Sequence, residues 1–125
     1  MSELKDKDKD AGKLSNMQVV AAAAKFLDEL VEATNDATMP LQQVRLLLAI
    51  YINRELMQTD LPKHAGVAGA SISRHIDQLG RNGPNWVKGE RDEHNRKFNT
   101  VHITPEGRAL IDGVARKVHR YFNRN

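Results

Sequence analysis

Apolar positions recur at helical spacing from Met17 to Val31. Met17, Val20, Ala24, Leu27, Leu30 and Val31 share one side; Asp28, Glu29 and Glu32 lie on the other. Ala21–Ala24 add helix propensity and Ser15 or Asn16 can cap the start, so a helix is predicted over roughly 17–35. Asn35 to Met39 reads as a loop. Pro40 suits the first turn of a second helix, over about 40–54. There Leu41, Val44, Leu47, Leu48 and Tyr51 form one stripe, with Leu46, Ile50 and Ile52 beside it. A helix apolar on so many sides belongs in the middle of a core. Gln58 to Ala65 predicts a short third helix, with Thr59 as cap and Pro62 in the first turn, where a missing N–H costs little. Gly66 then suits a left-handed position after it. Ala68 to Arg81 predicts a fourth helix with Ile72, Ile76 and Leu79 inward, ended by Gly80 and the Asn82-Gly83-Pro84 run.

Beyond that point the period changes. Phe98, Thr100 and His102 alternate with Asn99, Val101 and Ile103, which is the period of a strand. Trp86-Val87-Lys88 predicts a short partner strand, and the polar segment Gly89 to Lys97 suits the tip between them. Thr104 caps a last helix, with Pro105 at its first position and Glu106 in its first turn. That helix runs to about Phe122 by the spacing of Ala109, Leu110, Val114, Val118, Tyr121 and Phe122. The order is helix, helix, helix–turn–helix, two-stranded hairpin, helix. It predicts a mainly α fold with a small β-hairpin wing, in the α+β class.

Composition bounds what this fold can do. Residues 1–13 alternate Lys and Asp with almost nothing apolar, and are expected to form a disordered charged tail. Residues 14–125 are expected to form one domain, which at 125 residues in all needs no metal or disulfide to hold a core. There is no cysteine, which excludes disulfides, thiol redox chemistry and cysteine-type zinc sites. No apolar run approaches the roughly 18 residues that span a bilayer, and the charged N-terminus does not read as a secretory signal, so a cytoplasmic protein with no membrane partner is expected.

The formal net charge is +3. Its distribution matters more. From Leu14 to Pro62, Asp28, Glu29, Glu32, Asp36, Glu55 and Asp60 outnumber Lys25, Arg45 and Arg54. From Lys63 to Lys97 the bases lead: Lys63, Arg74, Arg81, Lys88, Arg91, Arg96 and Lys97 against Asp77, Glu90, Asp92 and Glu93. A basic stripe confined to one part of a chain suits a phosphate backbone.

The stripe coincides with the helix–turn–helix. Gly66 permits the tight turn; Val67, Ile72 and Ile76 fix the crossing of the two helices. Gly69 and Ala70 are small enough to let the helix start approach a duplex. Ser71, Ser73 and Arg74 point outward near that start, where a recognition helix touches bases and phosphates. An arginine there can contact guanine through two hydrogen bonds.

From Leu41 to Asp112 the chain resembles the MarR family of winged helix-turn-helix regulators. Val44-Arg45-Leu46-Leu47-Leu48 matches the family's apolar helix, and Ser71-Ile72-Ser73-Arg74 its recognition helix. Trp86-Val87-Lys88 matches the first wing strand, and Ile103-Thr104-Pro105-Glu106-Gly107-Arg108 the start of the closing helix. The family's wing tip, Asp-x-x-Asp-Arg-Arg, corresponds to Asp92-Glu93-His94-Asn95-Arg96-Lys97. The resemblance implies that Arg96 enters the minor groove, where negative potential is concentrated. Asn95 replaces the bracing Asp and brings no charge. Pro62 stands where the family usually has Ala, Gly83-Pro84-Asn85 lengthens the link before the wing, and the chain ends near Asn125, earlier than the family's dimerisation helices. The resemblance implies a homodimer through Met17–Val31 and Leu110–Phe122, double-stranded DNA as partner, and a phenolic effector pocket at the edge of that interface, which the early end bears on directly.

The site expected from these readings comprises Lys63, Gly69, Ala70, Ser71, Ser73, Arg74, Arg91, Arg96 and Lys97. No catalytic residues, metal or cofactor are expected. The sequence has no Gly-rich phosphate loop, serine elbow or paired carboxylates in an apolar setting, so it does not read as an enzyme. Its histidines, His64, His75, His94, His102 and His119, lack metal-ligand spacing. His75 reads as a partly buried structural residue and Trp86 as the apolar root of the wing. Two other functions fit the same fold: a winged-helix module docking on polymerase or a replication factor, and an architectural DNA binder without sequence choice.

Overall fold

The computed structural model describes residues 14–66, 69–90 and 100–123, with the side chains of Ala65 and Ala70 left out. The predicted tail over 1–13, Val67 of the turn with Ala68 at the expected start of the fourth helix, and the tip segment 91–99 lie outside the described residues. The chain divides into two compact units, 1–35 with 114–125, and 36–113. Among the described residues no helix is long and apolar enough to cross a membrane.

In the first unit, α1 spans Asn16–Thr34. Ser15 is its cap: the Ser15 hydroxyl accepts from the Gln18 backbone N–H at 3.1 Å, and the Gln18 side chain accepts from the Ser15 N–H at 2.8 Å. This reciprocal pair satisfies donors that a helix start leaves open. Asn35, left-handed at φ 54°, ends the helix. Of the apolar stripe, Leu30 is buried, while Met17 is 77% exposed, Val20 64% and Leu27 48%. The unit also holds the end of the last helix, from Val114 on. Lys25 lies 2.8 Å and Lys117 3.5 Å from the Glu29 carboxylate. The hydrogen bond from Lys25 is the main cause holding the Glu29 carboxyl below its ordinary value, against the opposing effect of desolvation.

The second unit starts with α2, Leu41–Asn53, and Pro40 stands at its cap position. Leu46, Leu47 and Ile50 are fully buried, as the all-round apolar pattern implied, whereas Leu41 and Ile52 at the two ends are exposed. Arg54 turns the chain out of the helix at φ 65°. The next segment holds a strand that the apolar pattern does not predict. Glu55–Met57 forms β1, which pairs antiparallel with β3, Thr100–Ile103. β3 also pairs with β2, Val87–Glu90. The wing is therefore the outer part of a three-stranded sheet in the order β1-β3-β2, not an isolated hairpin. A strand of three residues is too short to display a period.

A 3-10 turn, Gln58–Asp60, leads into α3, Leu61–Ala65. Asp60, not Thr59, takes the cap position, and its side chain makes no capping bond; Pro62 falls in the first turn as predicted. Gly66 is left-handed at φ 65°, a conformation that costs a residue with a β-carbon. The fourth helix, α4, spans Gly69–Leu79 and buries Ile72, Ile76 and Leu79. Burying each such side chain fully stabilises the fold by about 1.5–3 kcal/mol. The last helix, α5, spans Pro105–Asn123. Its cap is Thr104, whose hydroxyl accepts from the Gly107 N–H at 3.0 Å and donates to the Asn85 carbonyl at 2.6 Å.

Candidate nucleic-acid interface

The buried positions of α4 occupy one arc, and Ser73, Arg74 and Gln78 are exposed on the opposite one. That arc is fixed from beneath by polar as well as apolar contacts. His75 and Gln43 are each 9% exposed, and the Gln43 side-chain amide lies 3.3 Å from His75 Nδ1. The same amide donates to the Gln78 side-chain carbonyl. His75 is thus a buried structural residue, as the sequence implied.

From α4 the chain crosses to the sheet through backbone bonds. The Trp86 N–H donates to the Leu79 carbonyl at 2.8 Å, and the Trp86 carbonyl accepts from the Thr104 N–H at 3.0 Å. Trp86, half-buried, joins the end of α4 to the start of α5. These bonds set β2 and β3 beside α4, and an open groove of about 900 Å³ runs between them. Ser73 and Asp77 line it from α4 and Arg81 from the turn after it; Lys88, Glu90 and His102 line it from the sheet; Gln58, Asn85 and Glu106 also belong to its lining.

The groove is mixed in charge. Asp77, Glu90 and Glu106 face Arg81 and Lys88, with His102 Nε2 4.0 Å from Glu90. Asn85 donates to Glu106 at 2.9 Å. A phosphate backbone entering the groove would meet these carboxylates as well as its cations.

Lys63 is exposed on α3. Gly69 is exposed in the first turn of α4, and Ala70 comes next in the helix. Ser71 is half-buried, and Ser73 and Arg74 are exposed. Arg91, Arg96 and Lys97 lie outside the described residues. Sequence reading missed Gln58, Arg81, Lys88 and His102 as groove residues. The period of β3 placed His102 on the face opposite Val101, so that signal was present. Nothing in the sequence marks Gln58, which donates to Ser73 Oγ at 2.9 Å from the turn before α3. Among the described residues no cluster of His, Cys, Asp and Glu could hold a metal ion.

Solved structures superpose on this fold. A transcriptional regulator of the MarR family from Silicibacter pomeroyi superposes with a TM-score of 0.54 at 23% identity, over 82% of this chain and 69% of that one. A mutant MarR from E. coli, complexed with operator DNA, superposes with a TM-score of 0.56 at 19% identity, over 86% and 78%. This is the MarR-type winged-helix fold. In MarR-type terms α3 and α4 are the helix–turn–helix and β2 with β3 the wing. A curated relative, the uncharacterized HTH-type transcriptional regulator YdgJ of Bacillus subtilis, is 28% identical over 80 residues. The match takes in 64% of this chain and 48% of YdgJ, so the chain spans about half the length of its curated relative. No family model matches the chain. YdgJ and the Silicibacter protein are both transcriptional regulators by name.

Proposed function

We propose that this protein is a DNA-binding transcriptional regulator that works as a homodimer in the cytoplasm. The observation that carries the proposal is the outer arc of α4. Ser73 and Arg74 stand exposed on a helix whose other side is locked by Ile72, Ile76, Leu79 and the His75–Gln43 contact. A rigid helix with short polar side chains and one arginine near its start fits a major groove. Lys63 adds a phosphate contact from α3, and Gly69, Ala70 and Ser71 allow close approach. Arg96 reaches the minor groove, with Arg91 and Lys97 on flanking phosphates. The MarR variant of the same fold is seen on operator DNA, which supports the reading.

The exposed apolar residues of α1 support the dimer. Met17, Val20 and Leu27 would face water in a monomer, and a second copy offers them burial. Two recognition helices would then sit about 34–36 Å apart on a pseudo-palindromic site.

The test is a titration of duplexes selected by the wild-type protein from a random pool, against scrambled duplexes. Arg74→Ala is expected to narrow the gap between selected and scrambled duplexes by about 1–3 kcal/mol. Lys63→Ala is expected to weaken both alike and to lower the salt slope. An Arg74→Ala protein that binds both like wild type contradicts the assignment of α4.

A further inference from the structure

A side chain from outside α3 and α4 reaches the exposed arc of α4. Gln58, in the 3-10 turn after β1, donates its side-chain N–H to Ser73 Oγ at 2.9 Å. A serine hydroxyl carries one proton and two acceptor lone pairs. The Gln58 amide takes one lone pair and places its own hydrogens against the oxygen. The Ser73 proton therefore turns away from Gln58, and Ser73 is exposed.

The two residues have independent supports. Ser73 is carried by α4, locked on the core by Ile72 and Ile76. Gln58 comes directly after β1, whose Met57 pairs with Thr100 of the wing strand β3. The hydrogen bond thus references the reading face of α4 to the sheet that carries the wing.

We infer that Gln58 is a positioning residue for DNA recognition, which makes Ser73 a hydrogen-bond donor toward the duplex. The partner of Ser73 is then an acceptor: a phosphate oxygen, or a base-edge acceptor, the N7 or O6 of a purine or the O4 of thymine. This inference rests on the proposed DNA-binding function. It adds that a residue preceding the helix–turn–helix decides the polarity of a contact made by the recognition helix.

The experiment uses the full chain and duplexes selected from a random pool by the wild-type protein. Absence of any selected duplex contradicts the proposed function itself. Given a selected duplex, Gln58→Ala and Ser73→Ala are each expected to weaken binding about fivefold, the worth of one hydrogen bond. The double variant is expected to be no weaker than Ser73→Ala alone. Gln58→Glu offers a carboxylate that accepts the Ser73 proton and turns it away from the duplex. It is expected to lose more affinity than the same change made on Ser73→Ala, which isolates the effect of added charge. Equal loss on all duplexes identifies a phosphate as the acceptor; a relaxed preference at one base step identifies a base edge. Either supports the inference. Wild-type affinity in Gln58→Ala, or losses that multiply in the double variant, overturn it. So does a Gln58→Ala protein with a lowered melting midpoint whose affinity returns to the wild-type value on cooling.

Discussion

The backbone of Trp86 lies directly over Gly107. A β-carbon on Gly107 would stand 2.9 Å from the Trp86 carbonyl carbon and 3.0 Å from Ile103 Cδ1. The Trp86 carbonyl is already the acceptor for the Thr104 N–H. The first turn of α5 is thus pressed against Trp86, the residue before β2, and glycine is the residue that permits it.

Gly107→Ala is expected to destabilise the fold by about 1–3 kcal/mol, the usual cost of overpacking a rigid site. The neighbouring carbonyl belongs to the backbone and cannot swing aside like a side chain. Urea unfolding monitored by circular dichroism measures this; a midpoint unchanged from wild type contradicts the contact.

The buried contact between Gln43 and His75 gives a second expectation. Gln43→Leu leaves His75 Nδ1 without its donor in an apolar setting, at a cost of about 1–3 kcal/mol. Replacing both, Gln43→Leu with His75→Leu, removes the unsatisfied group and is expected to recover part of that loss. Stabilities of both single variants and the double, by chemical unfolding, decide the matter. A double variant less stable than the sum of its parts contradicts it.

Tyr51 donates its hydroxyl to Asp112, and the Arg108 guanidinium lies 5.6 Å from the ring centroid. The bond to Asp112, with desolvation and the Asp112 charge behind it, raises the Tyr51 phenol above its ordinary value of 10.0, against the lowering effect of Arg108. A raised folded value means stability fully present below the unfolded value and lost as pH rises through the folded one. Ultraviolet absorbance titration is expected to show one of the two tyrosines ionising above 10.0, and Tyr51→Phe to remove that component. The wild type is expected to lose more stability on the alkaline side than Tyr51→Phe. Superimposable pH–stability curves for the two proteins argue against the bond.

The helices were legible because each shows its period over several turns and has its own punctuation. Ser15, Gly66 and Thr104 occupy the cap and left-handed positions their chemistry implied. β1 was not legible, since three residues carry no period and its pairing with β3 lies more than forty residues away in sequence. Thr59 failed as a cap because the 3-10 turn moves the start of α3 onward to Leu61. Helical spacing in α1 identified an apolar face but not what covers it, and Met17 and Val20 stand exposed. For the site, the outer arc of α4 came from Ile72, Ile76 and Leu79 alone. The carboxylates of the groove and the reach of Gln58 arise from contacts between distant segments, and no local pattern encodes them.

The central claim is that the outer arc of α4 meets a duplex. Amide chemical-shift mapping of the isotope-labelled protein, titrated with a duplex it selects, tests it directly. The account predicts the largest shifts at Gly69 to Arg74, with smaller ones at Lys63 and along β2. Shifts confined to α1 and the end of α5, with α4 unmoved, contradict it.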